Sequence, residues 1–171
     1  GTGYAAERVE RDVRSVSRNW SRPAWYLKMD LANFFVAIDK HVLLAQLARH
    51  VRVPWWLWLT ETVLMHDPRI NVDVRGSAAL LARVPPHKSL FNAPADTGLP
   101  IGNLSSQFFA NVHLNDLDQF VKHQVRGRYY TRYVDDFLLL HESPKWLGVA
   151  RERIEAWLPE HLHAHINPRK T

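Results

Sequence analysis

Two adjacent aspartates, Asp135 and Asp136, lie between two apolar stretches, Tyr129 to Tyr133 before them and Phe137 to His141 after. Flanks of that kind read as strands, which leaves Val134-Asp135-Asp136 as a tight turn between them. Two carboxylates that close repel unless a cation lies between them or one keeps its proton. Taken alone, such a pair also makes an ordinary polar turn. A third aspartate, Asp30, ends another short apolar strand, Trp25 to Met29, and it weakens the polar-turn reading. A hard divalent ion would resolve the repulsion, because Mg²⁺ prefers carboxylate oxygens together with substrate phosphate. Two such ions, about 4 Å apart, can clamp the attacking and leaving oxygens of a phosphoryl transfer.

The rest of the chain supplies both helices and strands. Residues 4 to 18 read as a charged helix in which Arg8, Arg11, Arg14 and Arg18 fall near one stripe, read as a solvated face. His41 to His50 has helical apolar spacing, and Trp55 to His66 reads as a second, mostly buried helix. Its Trp55, Trp56 and Trp58 are expected to be core residues rather than a base-stacking platform. Residues 67 to 98 are broken by Pro68, Gly76, Pro85, Pro86, Pro94 and Gly98 and read as the loosest part. Ser105 to His123 gives one long amphipathic helix, with Phe108, Phe109, Val112, Leu117, Phe120 and Val121 on or near its buried side. Pro144 to Leu158 reads as a further helix and His161 to Asn167 as an alternating strand. That strand would put His161, His163 and His165 on one partly exposed face. Asp39, Asp116 and Asp118 read as surface or capping acids. The order of elements, with hairpin signals rather than regular crossovers, favours an α+β domain with a mostly antiparallel sheet packed on helices.

Composition excludes several classes. Of the 171 residues, 46% are hydrophobic, too many for a disordered chain. No apolar run approaches the roughly 18 residues of a membrane span. No cysteine is present, so neither a disulfide framework nor a cysteine zinc site is expected. Lys and Arg number 22 against 17 Asp and Glu, a net charge of +5 that suits a polyanionic partner.

Four segments together resemble the motifs of reverse transcriptases, in family order. Asp30 followed by Phe35 resembles polymerase motif A, and Gly98-Leu-Pro-Ile-Gly-Asn-Leu-Ser-Ser-Gln107 resembles motif B. Tyr133-Val-Asp-Asp136 resembles motif C, and Asn167-Pro-Arg-Lys-Thr171 the end of motif D. The resemblance covers essentially the whole chain. It implies one right-hand polymerase palm domain, 1–171, with partial fingers (about 1–25 and 40–95), palm (about 25–40 and 96–171) and no thumb. It also implies that the chain is a palm-centred piece, weak or inactive as a polymerase on its own.

The implied chemistry is RNA-directed DNA polymerisation. Asp30 and Asp135 would hold two Mg²⁺ ions, for which Mn²⁺ could substitute. Asp136 would be a weaker or more distant ligand, and Leu31 belongs to the same metal set. A primer 3′-hydroxyl would attack the α-phosphate of a dNTP, and catalysis would be positioning and charge neutralisation. Lys170 matches the lysine that protonates the leaving pyrophosphate. Phe35 matches the steric-gate position that favours deoxynucleotides, with Phe34, Ile101 and Gly102 beside the incoming nucleotide. Gly102 would permit close backbone approach, and Ser105 would cap the following helix. Gln107, Ser105, Tyr133 and Arg132 would face template and primer, although Arg132 also suits pairing with an acid. Ile101 and Gln107 stand where many reverse transcriptases have glutamine and proline. That variant resembles the enzymes of diversity-generating retroelements, where copying is error-prone opposite template adenines, with retron, group II intron and phage-defence enzymes as close kin. The implied partners are an RNA template, a DNA or RNA primer, dNTPs and an accessory protein of the element; the implied setting is the cytoplasm of a bacterium, the gene bacterial or phage-encoded. Three other readings remain open: an RNA-dependent RNA polymerase, a non-catalytic nucleic-acid-binding or scaffold module, and a protein-interaction domain without nucleic acid.

Overall fold

The structure, a computed structural model, describes residues 2–70 and 72–171. In chain order it contains α1 (Thr2–Val16), β1 (Trp25–Asp30), α2 (Phe34–Ala37), α3 (Lys40–Ala48), α4 (Pro54–Met65) and α5 (Ala78–Leu81). After two single 3₁₀ turns come α6 (Leu104–Gln119), β2 (Tyr129–Tyr133), β3 (Asp136–His141) and α7 (Pro144–Leu162). The α+β class and the antiparallel sheet are as expected: three strands in the order β1-β3-β2, both pairings antiparallel. No described helix is long and apolar enough to cross a membrane.

The chain forms two compact units, residues 1–32 with 114–171, and residues 33–113. Helix α1 packs on β2 and β3 within the first unit.

In the first unit the sheet alternates in part, with Leu139 and Leu140 of β3 and Met29 and Asp30 of β1 buried as adjacent pairs. Phe137 and Leu139 of β3 are buried together with Met29 of β1 and Tyr130 of β2, whereas Asp136 and Leu138 of β3 are only half-buried. Helix α7 packs on β1 and β3, burying Leu147, Ala150, Ile154, Leu158 and Leu162 at helical spacing. Fully burying a leucine or isoleucine side chain is worth about 2 kcal/mol, so this row anchors the helix strongly. It runs past Leu158 and through Pro159 to Leu162. A proline there removes one backbone hydrogen bond, and burial of Leu158 and Leu162 on either side holds the helix regardless. The expected strand from His161 to Asn167 is therefore absent: His161 lies on α7 against Trp157, His163 ends the helix with φ 51, and only Ile166 makes a bridge, to Leu31. The three histidines share no strand face. Of the arginine stripe, Arg14 pairs with Glu10 and Arg8 with Asp12 along α1, and Arg18 falls beyond the helix in a left-handed turn.

In the second unit α3 begins as its sequence suggests, with Asp39 accepting hydrogen bonds from the backbone N–H groups of His41 and Val42. Helix α4 does not behave as expected. Of its residues only Leu64 is buried, and Trp55, Trp56 and Trp58 are 59%, 56% and 53% exposed. Trp55 and Trp58, one turn apart, stack on each other at 4.8 Å. The helix is apolar nearly all round, so it carries no one-sided pattern from which the buried face could be read. Helix α6 starts at Leu104 in this unit, and its residues from Leu114 on belong to the first; it ends at Gln119 in a wider turn, Phe120–Val125. Phe109, Leu117, Phe120 and Val121 are buried as expected, but Phe108 is exposed.

Candidate active site

The three aspartates are brought together inside the first unit by strand register. Asp30 is the last residue of β1 and Asp136 the first of β3, and the two are direct antiparallel partners. Val134 and Asp135 form the two-residue turn between β2 and β3. Val134 has φ 56, an unfavourable left-handed conformation for a β-branched residue that persists only where its surroundings impose it. Arg132 supplies part of that constraint. Its Nη1 donates to the Val134 carbonyl at 2.9 Å, while Nε and Nη2 grip Asp118 Oδ1 and Oδ2 at 2.8 and 2.7 Å.

Asp118, expected to be a surface or capping acid, is instead a partly buried hub that also accepts from the Tyr130 hydroxyl at 2.7 Å. Burial and the Asp118 charge hold the Tyr130 phenol above its ordinary range. Burial works against the Arg132 charge, but the hydrogen bond and charge of Asp118 outweigh it. Tyr133 is half-exposed beside the turn.

Asp30 is 3% exposed, and its carboxylate is held at both oxygens by one segment. The side-chain amide of Asn167 donates to Oδ1 at 3.1 Å, and Lys170 Nζ donates to Oδ2 at 2.9 Å. The backbone repeats the pairing: Asn167 N donates to the Asp30 carbonyl at 2.8 Å, and Ala32 N to the His165 carbonyl at 2.8 Å. Asn167 is a site residue that motif reading passed over; its signal was its place three residues before Lys170. Hydrogen bonding to Asp30, and then its charge, raise the Lys170 ammonium above its usual range.

The other two carboxylates are less well satisfied. Burial pushes the Asp135 carboxyl above the ordinary carboxylate range, and the charges of Asp30 and Asp136 push the same way; a backbone hydrogen bond and Lys170 pull it partly back. Lys28 Nζ lies 3.1 Å from Asp136 Oδ1 as an ion pair without hydrogen-bond geometry, and that buried oxygen has no hydrogen-bond partner. A buried carboxylate oxygen met by the Lys28 charge but by no hydrogen bond, a carboxyl held toward its neutral form and a purely oxygen donor set fit a hard divalent cation, which takes few protein ligands beside water and phosphate. The cage is not preformed: among the described residues no three acidic, His or Cys side chains converge at ion-binding distance. Lys170 neutralises Asp30 instead. Leu31 is buried at the bridge to Ile166 and could offer only its backbone carbonyl.

The remaining expected site residues lie in the second unit. Phe34 is buried and stacks on the His113 ring, while Phe35, edge-on to Phe34 at 5.3 Å, is half-buried. The Phe35 carbonyl accepts from Leu99 N at 2.7 Å and the Ile38 carbonyl from Gly98 N at 2.8 Å, so the segments after Asn33 and around Gly98 are laced together. Gly98 has φ 82, and a Cβ there would stand 2.9 Å from the Val36 carbonyl oxygen. Gly102 also has positive φ, 104, but a Cβ would meet open space, so backbone conformation rather than close approach demands this glycine. Ile101 is 78% exposed. Ser105 is the second residue of α6, not its cap; that position falls on Asn103, whose carbonyl accepts from Gln107 N. Ser105 and Gln107 are both exposed.

The sequence model of a family described as reverse transcriptase (RNA-dependent DNA polymerase) matches residues 4–171. Among solved structures, telomerase from Candida albicans, determined in complex with a TWJ fragment of telomeric RNA, is similar in fold with a TM-score of 0.60 and 16% identity. That similarity covers 99% of this chain and 31% of the telomerase chain, so the present sequence spans about a third of that protein's length. No curated protein matches the sequence.

Proposed function

Because the chain belongs to the reverse transcriptase (RNA-dependent DNA polymerase) family, we propose that it carries the nucleotidyl-transfer site of an RNA-directed DNA polymerase. The reading rests on one observation: Asp30 and Asp136 face each other at registered strand ends, Asp135 occupies the turn, and an ammonium from Lys170 sits on Asp30. Mg²⁺ or Mn²⁺, when bound, would supply charge neutralisation at the transferring phosphate. Asp30 and Asp135 are assigned as the principal holders of two such ions, with Asp136 contributing less directly and Leu31 through its carbonyl.

The chain's own groups have separable parts in this scheme. The raised Lys170 ammonium keeps its proton at neutral pH and is assigned as donor to the departing pyrophosphate oxygen. Arg132 keeps the turn in its strained shape, a positioning part. Phe35 is assigned as the ring that excludes a ribose 2′-hydroxyl, with Phe34 as its packed support. Ile101 and Gly102 are assigned to the nucleotide, and Ser105, Gln107 and Tyr133 to template and primer. The substrates in this reading are an RNA template, a primer and dNTPs. The Ile101 and Gln107 pattern favours the lineage of diversity-generating retroelements, with an accessory protein as partner.

Primer extension on an RNA template, with dNTPs beside NTPs, tests the proposal. Wild type should extend with dNTPs and Mg²⁺ or Mn²⁺, and Asp135→Ala should lose on the order of 10³-fold or more. Extension with NTPs alone would establish an RNA polymerase instead. Metal-induced thermal stabilisation lost in Asp135→Ala, with no extension, would mean that the site loads cations but this chain does not turn over unaided. Neither stabilisation nor extension would establish a non-catalytic module.

A further inference from the structure

Within residues 33–113, the end of α3 and the length of α4 frame a groove of about 560 Å³ that the polymerase assignment does not use. Leu47, Arg52, Trp56, Leu59, Val63 and Phe108 line it, and His50 stands with them. No acidic side chain lines it, and Arg52 makes no ion pair among the described residues. Trp56 opens into the groove and is 56% exposed, whereas Trp55 and Trp58, also more than half exposed, stack on each other outside its lining. Exposed apolar area concentrated in large planar rings is costly to leave in water and marks a contact surface.

We propose that this groove between α3 and α4 binds single-stranded nucleic acid, bases stacking on Trp56 and phosphates meeting Arg52 and His50. Two observations favour that occupant over an apolar protein surface. Trp56 and Phe108 bring exposed aromatic rings into the lining, and their flat faces accept any base. The charge at the rim is positive with no balancing acid in the lining, which complements a polyphosphate backbone. The surface needs none of the three aspartates and no cation, so it stands or falls apart from the polymerase reading.

The experiment titrates the chain, in EDTA, with labelled oligouridylate and oligothymidylate of about a dozen nucleotides, followed by anisotropy and by quenching of tryptophan fluorescence across a salt series. Asp135→Ala should bind as tightly as wild type. Each stacking contact is worth about 1–3 kcal/mol by alanine substitution. Trp56→Ala should therefore weaken binding by roughly tenfold, while Trp56→Phe should retain most of it. Arg52→Gln should lower the slope of log affinity against log salt by about 0.7. The altered tryptophan is exposed, and far-ultraviolet circular dichroism will verify that the variants fold. Undiminished affinity in Trp56→Ala would overturn the proposal, as would absence of binding by wild type. Tryptophan changes that abolish only self-association in sedimentation would assign the groove to protein contact and also overturn it.

Discussion

The two units solve the placement of polar groups in opposite ways. The first concentrates charge: Asp30, Asp135, Asp136, Asp118, Arg132 and Lys170 lie on or beside one end of a three-stranded sheet, and Asp30 with Lys170 and Asp118 with Arg132 are hydrogen-bonded pairs there. The second concentrates apolar surface at its exterior, on α4, and closes its loops through glycines and backbone hydrogen bonds around Gly98. Order near the aspartates is over-determined, which allows a strained valine at the turn and an oxygen on Asp136 without a hydrogen bond. Such frustration is tolerated where a ligand relieves it. The exposed indoles of the second unit constrain nothing inside the fold and gain only when something covers them.

The sharpest way to break this contrast is to remove equivalent ion pairs from the two units. In the first, Arg132 and Asp118 side chains are 10% and 18% exposed. Asp118→Ala would strand the Arg132 guanidinium and the Tyr130 hydroxyl, costing about 3 kcal/mol. In the second, Arg69 and Asp67 are more open, at 22% each, although Arg69 holds Asp67 well below the ordinary carboxylate range. Asp67→Ala should lower the melting temperature distinctly less. Equal losses in thermal denaturation would erase the distinction.

Asn167→Ala sharpens the first half of the comparison. If Asn167 orients Asp30 through Oδ1, its removal should weaken Mn²⁺ binding by roughly 10- to 100-fold in calorimetry, the usual effect of losing a group that orients a ligand. Unchanged affinity would reduce Asn167 to a backbone staple. Glycines sharpen the second half. Gly98→Ala combines positive φ with a near-clash at the Val36 carbonyl and should cost about 2 kcal/mol. Gly102→Ala, strained but uncrowded, should cost about 1 kcal/mol in urea unfolding.

The smallest effect concerns pH. Because the folded chain holds the Asp135 carboxyl above its ordinary range, ionising it costs stability. That cost appears as pH rises past the unfolded value of about 3.9 and is complete above the folded one. In EDTA, Asp135→Asn should therefore melt a few degrees higher than wild type at pH 7, with the advantage shrinking toward pH 3. A lower melting temperature at pH 7 would show that Asp135 is stabilising when charged.

Much of this arrangement was legible in the residues. The alternation around Tyr129 and Leu139, the carboxylates at Asp30 and Asp135, and the leucines of α3 and α7 specify strands, a hairpin and amphipathic helices through local sterics and periodicity, which act over a few residues. Those same residues carry the family motifs, so the fold class and the three aspartates could be named without coordinates. What sequence could not supply was partnership across long separations. Asp118 reads as a surface or capping acid until Tyr130 and Arg132 close over it, and Asn167 as the end of a strand until it meets Asp30 across 137 positions. Pro159 reads as a stop until buried leucines on both sides override it. Trp55, Trp56 and Trp58 read as core because periodicity and hydrophobicity say what a side chain prefers, whereas burial depends on whether another element arrives to cover it. Local pattern determined the elements and the chemistry they carry; only tertiary packing decided which charges are paired, which oxygen is left without a hydrogen bond, and which apolar face remains in water.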